Sequence, residues 1–156
     1  MARQTHVEET VDIAVPPDTV YSQIVDVTQI GRFSPECTGA TVRGSAGPLK
    51  AGDRFTGHNR RQSVRRWSTH CTVDTAEAGR EFTFTSAAIG LPIATWSYRL
   101  EPLDQGAATR VTEVWDDHRG LFMRVLAVIV SGVRDRAAHN RRTMRLTLRR
   151  LKEHLE

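Results

Sequence analysis

Four polar side chains stand where alternation along strand-like segments calls for apolar ones: Glu9, Asn59, Arg61 and Glu113. In residues 108–118, Thr109, Val111, Glu113, Trp115 and Asp117 share one face, because successive side chains of an extended chain point to opposite sides. The corresponding sets are Phe55, Gly57, Asn59 and Arg61 in residues 53–62, and Val7, Glu9, Val11, Ile13 and Val15 in residues 6–15. An ionised carboxylate inside an apolar face is costly unless it is paired. Glu113 therefore reads as a general acid or base with a raised pKa, or as a group that orients a ligand hydroxyl or carbonyl, with Arg61 as a partner across the interior. Two plainer readings stand beside these. A register shifted by one residue would turn both glutamates to solvent, and a structural ion pair would use them without chemistry.

Aromatic residues share the same faces. Trp67, Thr69, Cys71 and Val73 alternate in one segment, Phe82, Phe84 and Ser86 in the next, and Trp96, Tyr98 and Leu100 in a third. A pocket walled by Trp67, Trp96, Tyr98 and Trp115, with Phe82 and Phe84 at one end, suits a flat polycyclic or long acyl ligand. Ordinary core packing is the competing account. The six histidines show no HxH or HExxH spacing and no Cys/His cluster, so no metal and no cofactor is expected. No GxSxG, P-loop or GxGxxG is present. Asp116-Asp117-His118 reads as a solvated strand end, since neighbours in a strand face opposite ways.

The elements that must position these residues follow from periodicity and turn signals. Residues 6–15 alternate as a half-buried strand and stop at Pro16-Pro17-Asp18. A helix over 18–25 places Val20, Ile24 and Val25 on one face, and a second short helix spans 27–33. Six strands follow, over 37–45, 53–62, 64–77, 81–88, 93–103 and 108–118, separated by short Gly- and Pro-containing turns, which points to an antiparallel meander. After Gly120 the period lengthens. Phe122, Leu126, Ile129, Val133, Ala137, Asn140, Met144, Leu148, Leu151 and Leu155 mark one face of a helix of about 35 residues, with Gly132 a place for a bend. Asn140 and Met144 join the expected ligand-facing set.

With 156 residues and 39% hydrophobic content, the chain has room for one domain, 1–156, with a full core. Its 26% charged residues argue against disorder. No apolar run reaches the ~20 residues that span a bilayer, and no signal peptide is visible, so a soluble, cytoplasmic protein with reduced Cys37 and Cys71 is expected. Net charge is +4 and uneven. Residues 1–118 hold 12 basic and 15 acidic side chains, residues 119–156 hold 10 and 3. The basic helix could meet nucleic acid or anionic lipid, but no aromatics interleave with its arginines, and a solvated face fits better than a nucleic-acid partner. Leu121, Val125, Val128 and Val130 are apolar residues in excess of the inner stripe. They suit a lip at a pocket mouth covered by the loops around 31–35 and 89–92, a homodimer seam, or a membrane-touching patch.

Several stretches resemble the bacterial polyketide cyclase/dehydrase-like branch of the START/polyketide-cyclase (SRPBCC) superfamily. They are Val15-Pro16-Pro17-Asp18-Thr19-Val20-Tyr21, Gly52-Asp53-Arg54-Phe55, Arg66-Trp67, Gly79-Arg80-Glu81-Phe82-Thr83-Phe84, Trp96-Ser97-Tyr98-Arg99-Leu100-Glu101-Pro102 and Thr109-Arg110-Val111-Thr112-Glu113. The resemblance covers about residues 6–155. It implies an α+β helix-grip fold: a curved antiparallel sheet of about seven strands around a long C-terminal helix, with two short helices after the first strand. It also implies that the first and last strands are neighbours, which sets Glu9 and Glu113 at comparable heights. A sheet so curved leaves a cavity under the helix. The expected function is binding of a hydrophobic small molecule (lipid, polyketide or aromatic) by Trp67, Trp96, Tyr98, Glu113, Asn59, Arg61, Phe82, Phe84, Asn140 and Met144. An alternative is a polyketide aromatase/cyclase, with Glu113, Arg61 and Tyr98 as catalytic candidates. Another is a stress-response or regulatory protein that acts on a macromolecular partner through the basic helix.

Overall fold

The computed structural model of the chain describes residues 2–44, 47–62 and 64–156. Alternation gives seven strands where the sequence calls for them: β1 (His6–Ile13), β2 (Cys37–Arg43), β3 (Arg54–Arg61), β4 (Arg65–Glu77), β5 (Glu81–Ala88), β6 (Leu91–Leu103) and β7 (Ala108–Asp117). The expected end of the second strand, at residue 45, lies outside the described residues. The strands form one antiparallel sheet in the order β1-β7-β6-β5-β4-β3-β2. Register shifts in β2, β4 and β6 add residues on one side of a ladder, which bends a strand and raises its twist. The sheet curls accordingly, and its concave face holds the core.

Helix α1 (Pro17–Val25) opens with Pro17, whose missing N–H would have had no partner in the first turn. It buries Val20, Tyr21, Ile24 and Val25 toward β5, β6 and β7. A 3-10 helix follows over Val27–Arg32 and lies beside β2. Gly31 there is fixed by close approach: a Cβ would come within 2.2 Å of the Thr38 carbonyl oxygen.

The C-terminal stretch departs from the single helix of about 35 residues that its stripe predicts. It forms α2 (Leu121–Ser131) and α3 (Arg136–Leu155). Gly132 ends α2 in the left-handed region at φ 72°, its N–H bonded to the Val128 carbonyl at 2.8 Å. Asp135 then caps α3 by accepting from the Ala138 N–H at 3.0 Å. The break rephases the stripe. α3 keeps the expected face, burying Ala137, Asn140, Met144, Leu148 and Leu151 against β1 and β7. α2 instead turns Met123, Leu126 and Ala127 inward, with Val130 exposed at the cavity edge, and leaves the expected inner residues Phe122 and Ile129 at 64% and 67% exposure. The loops do not cover the rest: Leu121 and Val125 are exposed, and so are Ile89 and Leu91, the residues expected to shield them.

Candidate functional site

The concave face is built from two rows of register partners running across the sheet. One row is Trp115, Trp96, Phe84 and Val73, the other Glu113, Tyr98, Phe82 and Ala76. Because each strand alternates, aligning one inward residue per strand aligns them all. The bulge at Asp74 of β4 falls between the two rows, so Val73 and Ala76 both stay in line. Between rows and helices lies a cavity of about 360 Å³, inside the range of small-molecule sites.

Trp67, Trp96, Trp115, Phe82, Phe84 and Tyr98 form its aromatic wall, with Asn59 beside Trp67 on the neighbouring strand. Asn140 and Met144 contribute from α3, and Met123, Leu126 and Ala127 from α2. Phe84 packs edge-on to Phe55, with ring centres 5.1 Å apart, and tilts against Phe82 at 5.8 Å. These are favoured aromatic geometries, each worth about 1 kcal/mol beyond area burial, and they stabilise the packing at this end of the cavity. Cys71 also lines the wall, and burial pushes its thiol up to about 11, so it behaves as a small apolar residue.

Polar residues such as Asn59, Asn140 and Glu36 also reach this mostly apolar lining, and one buried pair stands out among them. Glu113 is 3% exposed and directly opposite Tyr98 on β6. The Tyr98 hydroxyl donates to Glu113 Oε1 at 2.9 Å. Oε2 is buried and has no hydrogen-bond partner among the described residues. Burial pushes the carboxyl up to about 8; the Tyr98 hydrogen bond works against this, and the charge of Glu9 adds to it. At neutral pH Glu113 is therefore largely the neutral acid, with a proton to donate. Burial, and then the Glu113 charge, raise the Tyr98 hydroxyl well above its ordinary value, so it stays protonated.

Glu9 does pair in register with Glu113, as neighbouring first and last strands require. It meets Arg141 and Arg145 of α3 at 3.1 Å each and serves as a helix anchor. Arg61 is corrected. It does not reach Glu113 and is not part of the cavity wall. Its Nη1 donates to the Ser131 carbonyl at 3.1 Å, drawn there because the end of α2 presents unpaired carbonyls. Arg65 does the same for Ile129, at 2.7 Å. Asp117 is not a solvated strand end either. Arg119 clasps it at 2.8 Å, and its side chain is almost fully buried.

Sequence reasoning missed Glu36. It lies ahead of β2 and bonds Arg136 and His139 at 2.8 Å each, joining the loop to the start of α3 beside the cavity. Burial pushes its carboxyl up, but His139 and Arg136 outweigh that and hold it below the usual carboxylate range. No local pattern reports a pair 100 residues apart. Ala94 was within reach, because it lies two residues before Trp96 on the same face and lines the same cavity. Among the described residues, no group of three His, Cys, Asp or Glu side chains could hold a metal ion.

Comparison with known proteins places this architecture. The family described as polyketide cyclase / dehydrase and lipid transport matches residues 4–156. The chain belongs to this family. Membership supports a role in hydrophobic-ligand binding or polyketide chemistry. No protein of curated function matches the sequence. The polyketide-cyclase-like protein Cgl2372 of Corynebacterium glutamicum is 28% identical over 99% of this chain and 93% of its own, with a TM-score of 0.58. CV1439 of Chromobacterium violaceum is 12% identical with a TM-score of 0.72, covering 98% of this chain and 99% of its own. DR_A0006 of Deinococcus radiodurans is 14% identical with a TM-score of 0.67, and 96% of each chain is covered. The last two share the fold, an α+β helix grip. No helix among the described residues is long and apolar enough to cross a membrane.

Proposed function

We propose that this protein binds an apolar small molecule, of lipid, polyketide or aromatic kind, and orients it through one oxygen at Glu113. The observation that carries the reading is the incomplete hydrogen bonding of Glu113 in the wall of a mostly apolar cavity. Tyr98 occupies one carboxyl oxygen and leaves the other free. A buried polar group without a partner costs about 1–3 kcal/mol, which a ligand carbonyl or hydroxyl accepting from the neutral acid would recover. The same neutrality disfavours nothing apolar around it, whereas an anionic ligand group at that point would be repelled once Glu113 ionises. Trp67, Trp96, Asn59, Phe82, Phe84, Asn140 and Met144 supply shape, and Arg61 acts at one remove by holding the end of α2. Native mass spectrometry of the freshly purified protein tests this. A retained neutral molecule containing oxygen supports the reading, and an empty protein that also fails to take up apolar ketones overturns it.

A second reading has its own support. A carboxylic acid near pKa 8 paired to a tyrosine is suited to give and take a proton at neutral pH, as aromatase/cyclase chemistry on a poly-β-ketone requires. Turnover of such a chain, abolished in Glu113→Gln with binding retained, would select the enzyme over the carrier. The basic helix gives less support to a macromolecular partner. Arg141 and Arg145 are committed to Glu9, and Lys152 to the Asp12 carbonyl and Glu156. A cytoplasmic location remains part of this proposal.

A further inference from the structure

At one end of the sheet, three apolar features project into solvent side by side. Helix α2 exposes Leu121, Phe122, Val125 and Ile129, which fall on one face at helical spacing. The β5–β6 turn exposes Ile89, and the β3–β4 turn exposes Val64 at 80%. Both turns lie at the same end of the antiparallel meander. Arg65 ties the β3–β4 hairpin to α2 by donating to the Ile129 carbonyl, and Ile89 lines the same cavity as Leu126 and Ala127 of α2. The features are therefore neighbours around one opening. Exposed apolar residues spread singly over a surface need no account, but a converging set marks an interaction site.

The hairpin end carries a second, independent oddity. Arg60 pairs across the ladder with Arg66, and Arg61 with Arg65. Like charges directly opposite each other destabilise a sheet. Among the described residues none of these four arginines forms an ion pair with a carboxylate, and neither do Arg124 and Arg134 on and just after α2. Arg61 and Arg65 are spent on the carbonyls that end α2, but Arg60, Arg66 and Arg134 are exposed, and positive charge beside an exposed apolar helix face suits a surface that is apolar within and anionic at its boundary. It does not suit a second copy of the chain, since a two-fold contact would set these arginines against themselves.

We propose that the exposed face of α2, with the tips of the β3–β4 and β5–β6 turns, docks on the surface of an anionic lipid bilayer. Phe122, Val125 and Ile129 enter the headgroup–acyl boundary, and Arg60, Arg66 and Arg134 lie at the anionic headgroups. The docked face surrounds the cavity mouth, so a molecule leaving the cavity would pass into the bilayer instead of water. This inference goes beyond the cavity reading and does not depend on it, because docking requires no occupant.

The test is sedimentation of the full chain, with no ligand added, with vesicles of phosphatidylcholine alone or with about one-third phosphatidylglycerol. Binding should be about tenfold or more stronger on the anionic vesicles and should weaken with salt. Phe122→Asp/Ile129→Asp should lose binding with its circular dichroism unchanged, and Arg60→Glu/Arg66→Glu should lose the preference for anionic lipid. Equal binding to both vesicles, absence of binding, or binding that survives both variants overturns the proposal. So does a dimer that Phe122→Asp/Ile129→Asp converts to monomer without any effect on vesicles. The lipid and salt dependence of the unaltered protein decides the matter even if a variant fails to fold.

Discussion

Replacing Glu113 by glutamine should make the protein less sensitive to alkali. The buried carboxyl titrates at about 8, against an ordinary value of 4.5. The folded state thus keeps a proton that the unfolded chain has released, and stability falls as pH rises between these values. Each pH unit in the interval is worth about 1.4 kcal/mol. Full stability is present below about pH 4.5, and the whole contribution is lost once pH passes about 8. Between about pH 5 and pH 8.5 the loss comes to about 4 kcal/mol. Glutamine keeps the shape of the neutral acid and its acceptor for the Tyr98 hydroxyl, but does not ionise. Urea unfolding of both proteins at the two pH values isolates the effect, because every other titrating group contributes to both and cancels in the difference. The wild type should lose about 4 kcal/mol more than Glu113→Gln across the interval. Parallel stability profiles would refute the argument, since they mean that Glu113 is ionised in the folded protein or reaches water.

Trp96→Ala should weaken binding of a flat aromatic ketone about tenfold by removing the stacking surface between Phe84 and Trp115, as read by titration of the remaining tryptophan fluorescence. Glu36→Gln should cost about 3 kcal/mol in urea unfolding at neutral pH, because it leaves the buried Arg136 guanidinium without its counter-charge. The wild-type contribution of Glu36 should be present above its ordinary pKa of 4.5 and disappear as pH falls through its lowered folded value, so wild type and Glu36→Gln should converge in acid. Gly31→Ala should cost about 2 kcal/mol or more by thermal or urea unfolding, since the added methyl meets the Thr38 backbone and not a movable side chain.

The strands and most of the cavity wall were legible because alternation is a local signal. Glu113, Tyr98, Trp96 and Trp67 each announce their face through neighbours two residues away, and a sheet that curls one way puts all those faces together. The break at Gly132 was only half legible. Glycine in a helical pattern signals weakness, but whether the chain bends or restarts depends on Asp135 as a new cap and on Arg61 and Arg65 holding the freed carbonyls. Two of those three come from a hairpin far away in sequence. The same break put Phe122 and Ile129 on the outer face, although the stripe runs through them without interruption in sequence. Glu36 with Arg136 and His139 had no local signal, since ion pairing across 100 residues follows from the fold.

The central claim is that neutral Glu113 donates a hydrogen bond to a ligand oxygen inside a mostly apolar cavity. Fluorenone and fluorene test it most directly, being flat molecules of nearly equal size that differ in one carbonyl. Their affinities should be measured by tryptophan fluorescence at about pH 6, below the Glu113 pKa of about 8, and again at about pH 9.5. Fluorenone should bind about tenfold more tightly than fluorene at the lower pH, the worth of one hydrogen bond that rescues a buried group, and lose that advantage at the higher. Equal affinities at both pH values, or a preference for the ketone that persists when Glu113 is ionised, would contradict the account.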